Sequence, residues 1–396
     1  MRSPVLIAGG GPTGLAAALF LAERGIASTV LERGHGPSDD PRAATFHPPT
    51  MELLASSGAT AKLHERGIVA ALWQSRDRTD GLLAEFDLAL LKDETPFPYR
   101  LQCEQHKFVG ILTELLAERP GVEIRYGEEV RAIEAADNHV RVETDGGTYE
   151  ADWLIGADGG RSLVRKSQDI PFEGFTYPER FLVVTSTYDF AAEGFAVSNY
   201  VADPEEWCAV FQVPGNRPGG LWRIVFPIRA HQDEATELDF AHARGRVDRF
   251  VPRAKPYDVV HTNIYTVHQR VAARFRKGRV LLIGDAAHIN NPLGGMGMNF
   301  GIHDAANAAE KLSAVLLGEA DESLMDRYDR QRRFAASVFL QAMTIQNKKA
   351  LEESDPEARK ARAADLTATL ADPVRAKAYL MQTAMIAGFR AAAAVE

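Results

Sequence analysis

Three glycines at the spacing Gly9-x-Gly11-x-x-Gly14 stand between the apolar run Val5–Ala8 and a stretch in which Leu15, Leu19 and Ala22 share one helical face. A strand, a tight turn and a helix at that spacing make a phosphate cradle. The first glycine permits the turn, the second lets backbone approach a pyrophosphate, and the third lets helix and strand pack closely. Pro12 and Thr13 complete the turn, and the helix N-terminus offers free N–H groups and a positive dipole end to phosphates. A second apolar run, Ser28–Leu31, is closed by Glu32, where a carboxylate can accept ribose hydroxyls. Gly9, Gly11, Pro12, Thr13, Gly14 and Glu32 are therefore candidate dinucleotide-binding residues. On these residues alone a flavin site and a nicotinamide site read alike, and a glycine-rich turn without a ligand is the plain alternative.

Two later segments discriminate. Gly156-Ala-Asp158-Gly159-Gly160-Arg161 runs on to Arg165 and follows the apolar stretch Trp153–Ile155. Val280–Ile283 leads into Gly284-Asp285-Ala-Ala-His288, and then into Pro292-Leu-Gly-Gly295-Met-Gly297-Met298-Asn299. Singly, each has an ordinary explanation. Asp158-Gly159 is a common turn pair, Asp285 can cap the following helix, and Arg161 and Arg165 can form a solvated helix face. His288 and His303 read as satisfied structural histidines. In order and spacing, however, the three segments resemble the fingerprints of the single-component FAD-dependent aromatic hydroxylases, the para-hydroxybenzoate hydroxylase fold. The resemblance runs from residue 3 to about residue 340. Phe172-Glu-Gly174 and the segment around Asp285 are most similar to the phenol and 3-(3-hydroxyphenyl)propionate hydroxylase branch.

The resemblance implies non-covalent FAD, with NAD(P)H and O2 as co-substrates and a flavin hydroperoxide that hydroxylates a small phenolic or heteroaromatic substrate. It gives Glu32 the adenosine ribose and lays Arg33 and Arg42 along the FAD. Gln105 would help to hold the FAD chain, and Asp158 and Gly159 would serve both FAD and NAD(P)H, supported by Arg161 and Arg165. Asp285 would bond a ribityl hydroxyl. Gly295, Gly297, Met298 and Asn299 would present backbone to the flavin ring, where a helix N-terminus suits the negative charge of a reduced flavin. Tyr200, Phe211 and Arg223 are candidate substrate-binding residues. His47 is a candidate base, and Pro292 a further candidate in the catalytic pocket. Two positions depart from the family pattern: Met296 stands where Gln is common, and Pro49 where Arg is common. The chain ends at Glu396 without the thioredoxin-like domain of phenol-hydroxylase-type relatives.

These motifs need elements to hold them, and the 396 residues suffice for two fused domains. The pattern reads as α/β: a Rossmann-like FAD-binding domain over residues 1–75, 100–171 and 276–345, discontinuous because a sheet domain is inserted over 76–99 and 172–275. Within it, Phe108–Glu118 reads as a helix, and Val122–Tyr126 and Val140–Thr144 as strands. The inserted part reads as an antiparallel sheet with one helical segment near Asp233–Arg246. A helix is expected over Asn299–Leu317, and 346–396 forms a helical tail.

A net charge of −9, without a basic block, gives no reason to expect a nucleic-acid or anionic-membrane partner. Cys103 and Cys208 are the only cysteines and form no CxxC pair. That spacing argues against a disulfide framework, a zinc site or a dithiol centre and fits a reducing cytoplasm. The uncharged stretch Ser3–Ala22 is broken by glycines, which argues against a signal peptide or membrane span. A monomer or homodimer is expected. Competing readings are another flavoprotein oxygenase (Baeyer–Villiger, epoxidase or halogenase type, though the halogenase WxWxIP run is absent), an NAD-dependent dehydrogenase, or a non-catalytic flavin-binding protein.

Overall fold

The computed structural model describes residues 3–38 and 43–396. Strand Ser3–Ala8 lies at the centre of the first sheet, with Gly147–Gly156 on one side and Ser28–Glu32 on the other, all parallel. Val122–Tyr126 and Val280–Leu282 extend it in parallel at either side. The glycine turn therefore leaves the C-terminal end of a central strand, where open α/β sheets place ligands. Helix Pro12–Ala22 starts on a proline, whose fixed φ suits a first helical turn, and is buried from Gly14 to Leu21. Helices Gln105–Ala117 and Gly297–Leu316 pack against it.

The second sheet has eight strands in the order His288–Ile289, Val259–Ala272, Phe172–Ser186, Leu221–Ile228, Cys208–Val213, Ser198–Ala202, Leu72–Asp77 and Gly81–Asp87. Neighbours are antiparallel except Ser198–Ala202 with Leu72–Asp77. Strand alternation separates its faces. Leu182, Val184, Val210, Ile224 and Phe226 pack with Ala243 and Val247 of helix Phe240–Phe250 on the outer face. Val183, Ala209, Phe211, Arg223 and Val225 turn the other way, towards a cleft. The C-terminal helices Pro356–Ala371 and Pro373–Thr383 cover Trp73 and Phe86 at the far end of the sheet. No helix among the described residues is long and apolar enough to cross a membrane.

The structure shifts several expected boundaries. The sheet begins at Leu72, so the boundary drawn at residue 76 would cut its first strand. The helical segment near 233–246 is two helices, Glu234–Leu238 and Phe240–Phe250. Asp239 ends the first and caps the second, accepting from the His242 amide at 2.9 Å. Trp153–Ile155 is the buried end of a ten-residue strand. Its first half pairs antiparallel with Val140–Thr144, outside the parallel core, and alternates in exposure, so it lacks the continuous apolar run.

Candidate active site

A cleft of about 1160 Å³ opens between the two sheets. Gly9, Gly11, Pro12 and Thr13 line one end, with Glu32 and Arg33 beside them. Gln105, Asp158, Gly159 and Arg161 follow along the wall, then Asp285, Pro292, Gly295, Gly297 and Met298. Tyr200, Phe211 and Arg223 form part of the opposite wall, on the inserted sheet.

The glycine turn divides its labour. A Cβ on Gly14 would lie 2.0 Å from the Gly9 carbonyl oxygen, so Gly14 is a packing residue that does not line the cleft. A Cβ on Gly11 would meet nothing within 4 Å. The space in front of it is open, and behind it helix Pro12–Ala22 begins with neither a side-chain cap nor an acid in its first turn. Its N–H groups are left for a ligand. Glu32 is oriented in advance: Oε2 accepts from the Gly10 amide at 2.6 Å and Oε1 from the Gly34 amide at 2.7 Å. Asp158 accepts from the Val164 amide through Oδ2, while its buried Oδ1 has no partner among the described residues. An open phosphate cradle, a fixed carboxylate and an orphaned carboxylate oxygen along one cleft fit a long dinucleotide such as FAD.

Three expected site residues act from behind the wall. Asn299 is fully buried; its Oδ1 accepts from the His47 amide at 3.0 Å, and its Nδ2 donates to the carbonyls of Thr45 and Gly295 at 2.8 and 2.7 Å. Arg165 is likewise buried and donates to the Ala286 and Gly160 carbonyls, both at 2.9 Å, so it ties the Asp158 motif to the Asp285 motif. His47 needs a correction as a candidate base. It lies outside the cleft lining, is fully buried, and donates from Nε2 to the Gly294 carbonyl at 2.9 Å. Burial, with Arg100 nearby, holds its pKa well below the ordinary value, which makes it a poor proton acceptor. Arg42 lies outside the described residues.

Other cleft-lining positions carry no mark in the sequence. His261, Asn263 and Tyr265 of strand Val259–Ala272 line the cleft, and Ser198 joins them from the strand that carries Tyr200. The alternation was visible, but nothing in it marks which face is the pocket. Asp304 falls within the third motif, but its role is not legible from the sequence. Its Oδ2 accepts from the Gly284 amide at 3.0 Å and from His288 Nε2 at 2.7 Å, and its Oδ1 from Arg332 at 2.6 Å. His288 and His303 are structural, as expected; His303 Nε2 bonds the Thr50 hydroxyl at 2.9 Å.

The sequence profile of the FAD binding domain family matches residues 2–343. The chain belongs to this family. It is an FAD-dependent aromatic hydroxylase of the single-component type. It is 37% identical over 366 residues to the para-nitrophenol 4-monooxygenase of Pseudomonas sp. (strain WBC-3), covering 90% of this chain and 89% of that one. It is 36% identical over 349 residues to the 6-hydroxy-3-succinoylpyridine 3-monooxygenase HspB of Pseudomonas putida (strain DSM 28022 / S16), covering 85% and 86%. The crystal structure of p-nitrophenol 4-monooxygenase PnpA from Pseudomonas putida DLL-E4 superposes on this hydroxylase with a TM-score of 0.92 at 34% identity, over 98% of each chain.

Proposed function

We propose that this hydroxylase acts on a small phenol that carries an electron-withdrawing or anionic group para to the ring hydroxyl. NAD(P)H is the reductant, O2 the oxidant, and oxygen is delivered to the substituted para carbon. The observation that carries the reading is the layout of the cleft wall. Tyr200, Ala209, Val225 and Val183 form one cross-strand row, and Ser198, Phe211 and Arg223 the next. The wall is thus apolar in its middle, with a phenol at one end and a guanidinium beyond. Tyr200 and Arg223 are two strands and one pair-step apart, roughly 12 Å between backbones, a span that leaves room for one ring between their side chains. The names of two relatives support the same pattern. Para-nitrophenol and 6-hydroxy-3-succinoylpyridine each bear a ring hydroxyl opposite an oxygen-rich acceptor, and the locants 4 and 3 in those names fall on the carbon that bears it.

Bound FAD accepts hydride and activates dioxygen; the protein supplies position, charge and exclusion of water. Glu32 and the Gly11 turn hold the adenosine and pyrophosphate end, while Asp285 and the Gly295–Gly297 turn hold the ring end. Arg161 and His268 line the cleft, and burial, with Arg270 and Arg161 nearby, lowers the pKa of His268 and keeps it neutral. The Arg161 guanidinium at this edge suits the phosphates of NAD(P)H. Cys103 and Cys208 are buried and unpaired, which supports a reducing cytoplasm. The test is direct. Para-nitrophenol should stimulate NAD(P)H oxidation by the FAD-loaded protein, with nitrite released in step. No stimulation by para-nitrophenol, hydroxybenzoates or hydroxypyridines would overturn the reading.

A further inference from the structure

Behind Tyr200 lies a cation that the proposed cycle does not use. Arg100, on the short strand Arg100–Gln102, is 4% exposed. Its Nη2 donates to the Thr383 carbonyl at 3.0 Å, and its guanidinium sits 5.7 Å from the centre of the Trp73 ring. Among the described residues its buried Nε has no partner, and no carboxylate pairs with it. The titratable groups that face it are the phenols of Tyr200 and Tyr379, and His47. Further out, Arg362 and Asp365 face Tyr379, and His303 faces His47. Burial holds both histidines neutral, so they add no charge. Burial also lowers the pKa of Arg100, but a guanidinium starts high enough to keep its proton. A buried cation is costly unless a negative charge meets it.

Tyr200 is placed to pass that charge on. The edge of Trp73 meets its ring, with centroids 6.2 Å apart. Its hydroxyl oxygen accepts from the Gly294 amide at 2.9 Å, and the side chain lines the cleft. A phenol has one proton to donate, and with the Gly294 amide already given to its oxygen, that proton is available to a ligand in the cleft. The Arg100 charge strengthens this donation towards an oxyanion far more than towards a neutral hydroxyl. We infer that Arg100 is a positioning residue, a fixed cation that acts through Tyr200 to make the cleft take the ionised form of a phenol in preference to the neutral form. The inference rests on the phenolic substrate class proposed above.

The FAD-loaded enzyme with para-nitrophenol as the probe tests it, because the probe changes absorbance on ionisation. The pH titration of the bound probe should give a pKa at least about one unit below that of the free probe, so that the anion binds about tenfold tighter. Arg100→Met should abolish most of this drop at unchanged FAD content, and Arg100→Lys should restore part of it. In a Tyr200→Phe background, Arg100→Met should have no further effect. Should Arg100→Met fail to fold, Arg100→Gln keeps an amide donor near Thr383 without the charge and gives the same comparison. A wild-type bound probe with an undiminished pKa overturns the inference, as does an uncharged variant that keeps the drop. Failure of every phenol to bind removes the substrate class and this inference together; binding without a pKa drop removes this inference alone.

Discussion

Arg332 donates from Nε to Asp304 Oδ1 at 2.6 Å, and both residues are buried. The other oxygen of the same carboxylate holds the Gly284 amide and His288, so one ion pair fixes the turn that presents Asp285 to the cleft. Asp304→Ala leaves the buried Arg332 charge without a carboxylate and the Gly284 amide without its acceptor. The expected cost is about 3–5 kcal/mol in denaturant unfolding, with weaker FAD retention. A loss below about 1 kcal/mol would show that the pair does not brace the turn.

Gly11→Val separates folding from cofactor binding. No atom of the described residues lies within 4 Å of the new Cβ, so the fold should survive. The pyrophosphate path is blocked instead. The variant should melt cooperatively near the wild-type FAD-free protein and bind no FAD in equilibrium titration. Wild-type FAD affinity would place the cradle elsewhere.

These two residues show what the sequence makes legible. Gly11 is announced by its spacing, because phosphate binding imposes a local pattern on strand, turn and helix. Asp304 is a lone acid within a helix, and its meaning comes from Arg332, His288 and Gly284, which only the tertiary fold brings to it. The parallel strands and their motifs were readable for the same local reason. Tyr200, Phe211 and Arg223 were named on their residue types, yet Asn263 and His261 on the same wall were not, because alternation gives two faces and does not say which is lined by substrate. His47 was placed in the pocket from its chemistry, whereas its ring is spent on the Gly294 carbonyl.

Two buried neutral histidines give the hydroxylase an acid-sensitive window. Burial lowers the pKa of His303 to about 3 and that of His47 well below its ordinary value. In the unfolded chain both take up protons near pH 6.5. The unfolded state therefore binds more protons as pH falls from about 6.5 towards the folded pKa values, and stability drops by about 1.4 kcal/mol per pH unit for each group. Above about pH 7 this contribution is fully present. Urea unfolding between pH 7.5 and 5 should show the slope, and His303→Gln should reduce it. Asp304, also depressed, loses its contribution only below the ordinary carboxylate range, outside this window. A flat profile from pH 7.5 to 5 would contradict the assignment.

Arg223→Met should act on substrate and spare the cofactor. If Arg223 meets the acceptor group of the ring, loss of a charged hydrogen bond of about 1.5–3 kcal/mol raises KM for para-nitrophenol about tenfold to a hundredfold. KM for unsubstituted phenol should barely move, and FAD affinity should be unchanged. Equal increases for both substrates would place Arg223 in a general structural role.

The proposed reaction transfers one oxygen atom from dioxygen to an aromatic ring with NAD(P)H as the reductant. Turnover of para-nitrophenol by the FAD-loaded enzyme under ¹⁸O₂, with the quinone formed on loss of nitrite reduced at once to the quinol and followed by mass spectrometry, measures that directly. One ¹⁸O atom in the ring product for each nitrite released is the predicted result, with one NAD(P)H spent on the oxygenation to the quinone and a second wherever that quinone is reduced to the quinol. A product labelled only from water, or NAD(P)H consumption that yields hydrogen peroxide and unchanged substrate across the phenol panel, would contradict it.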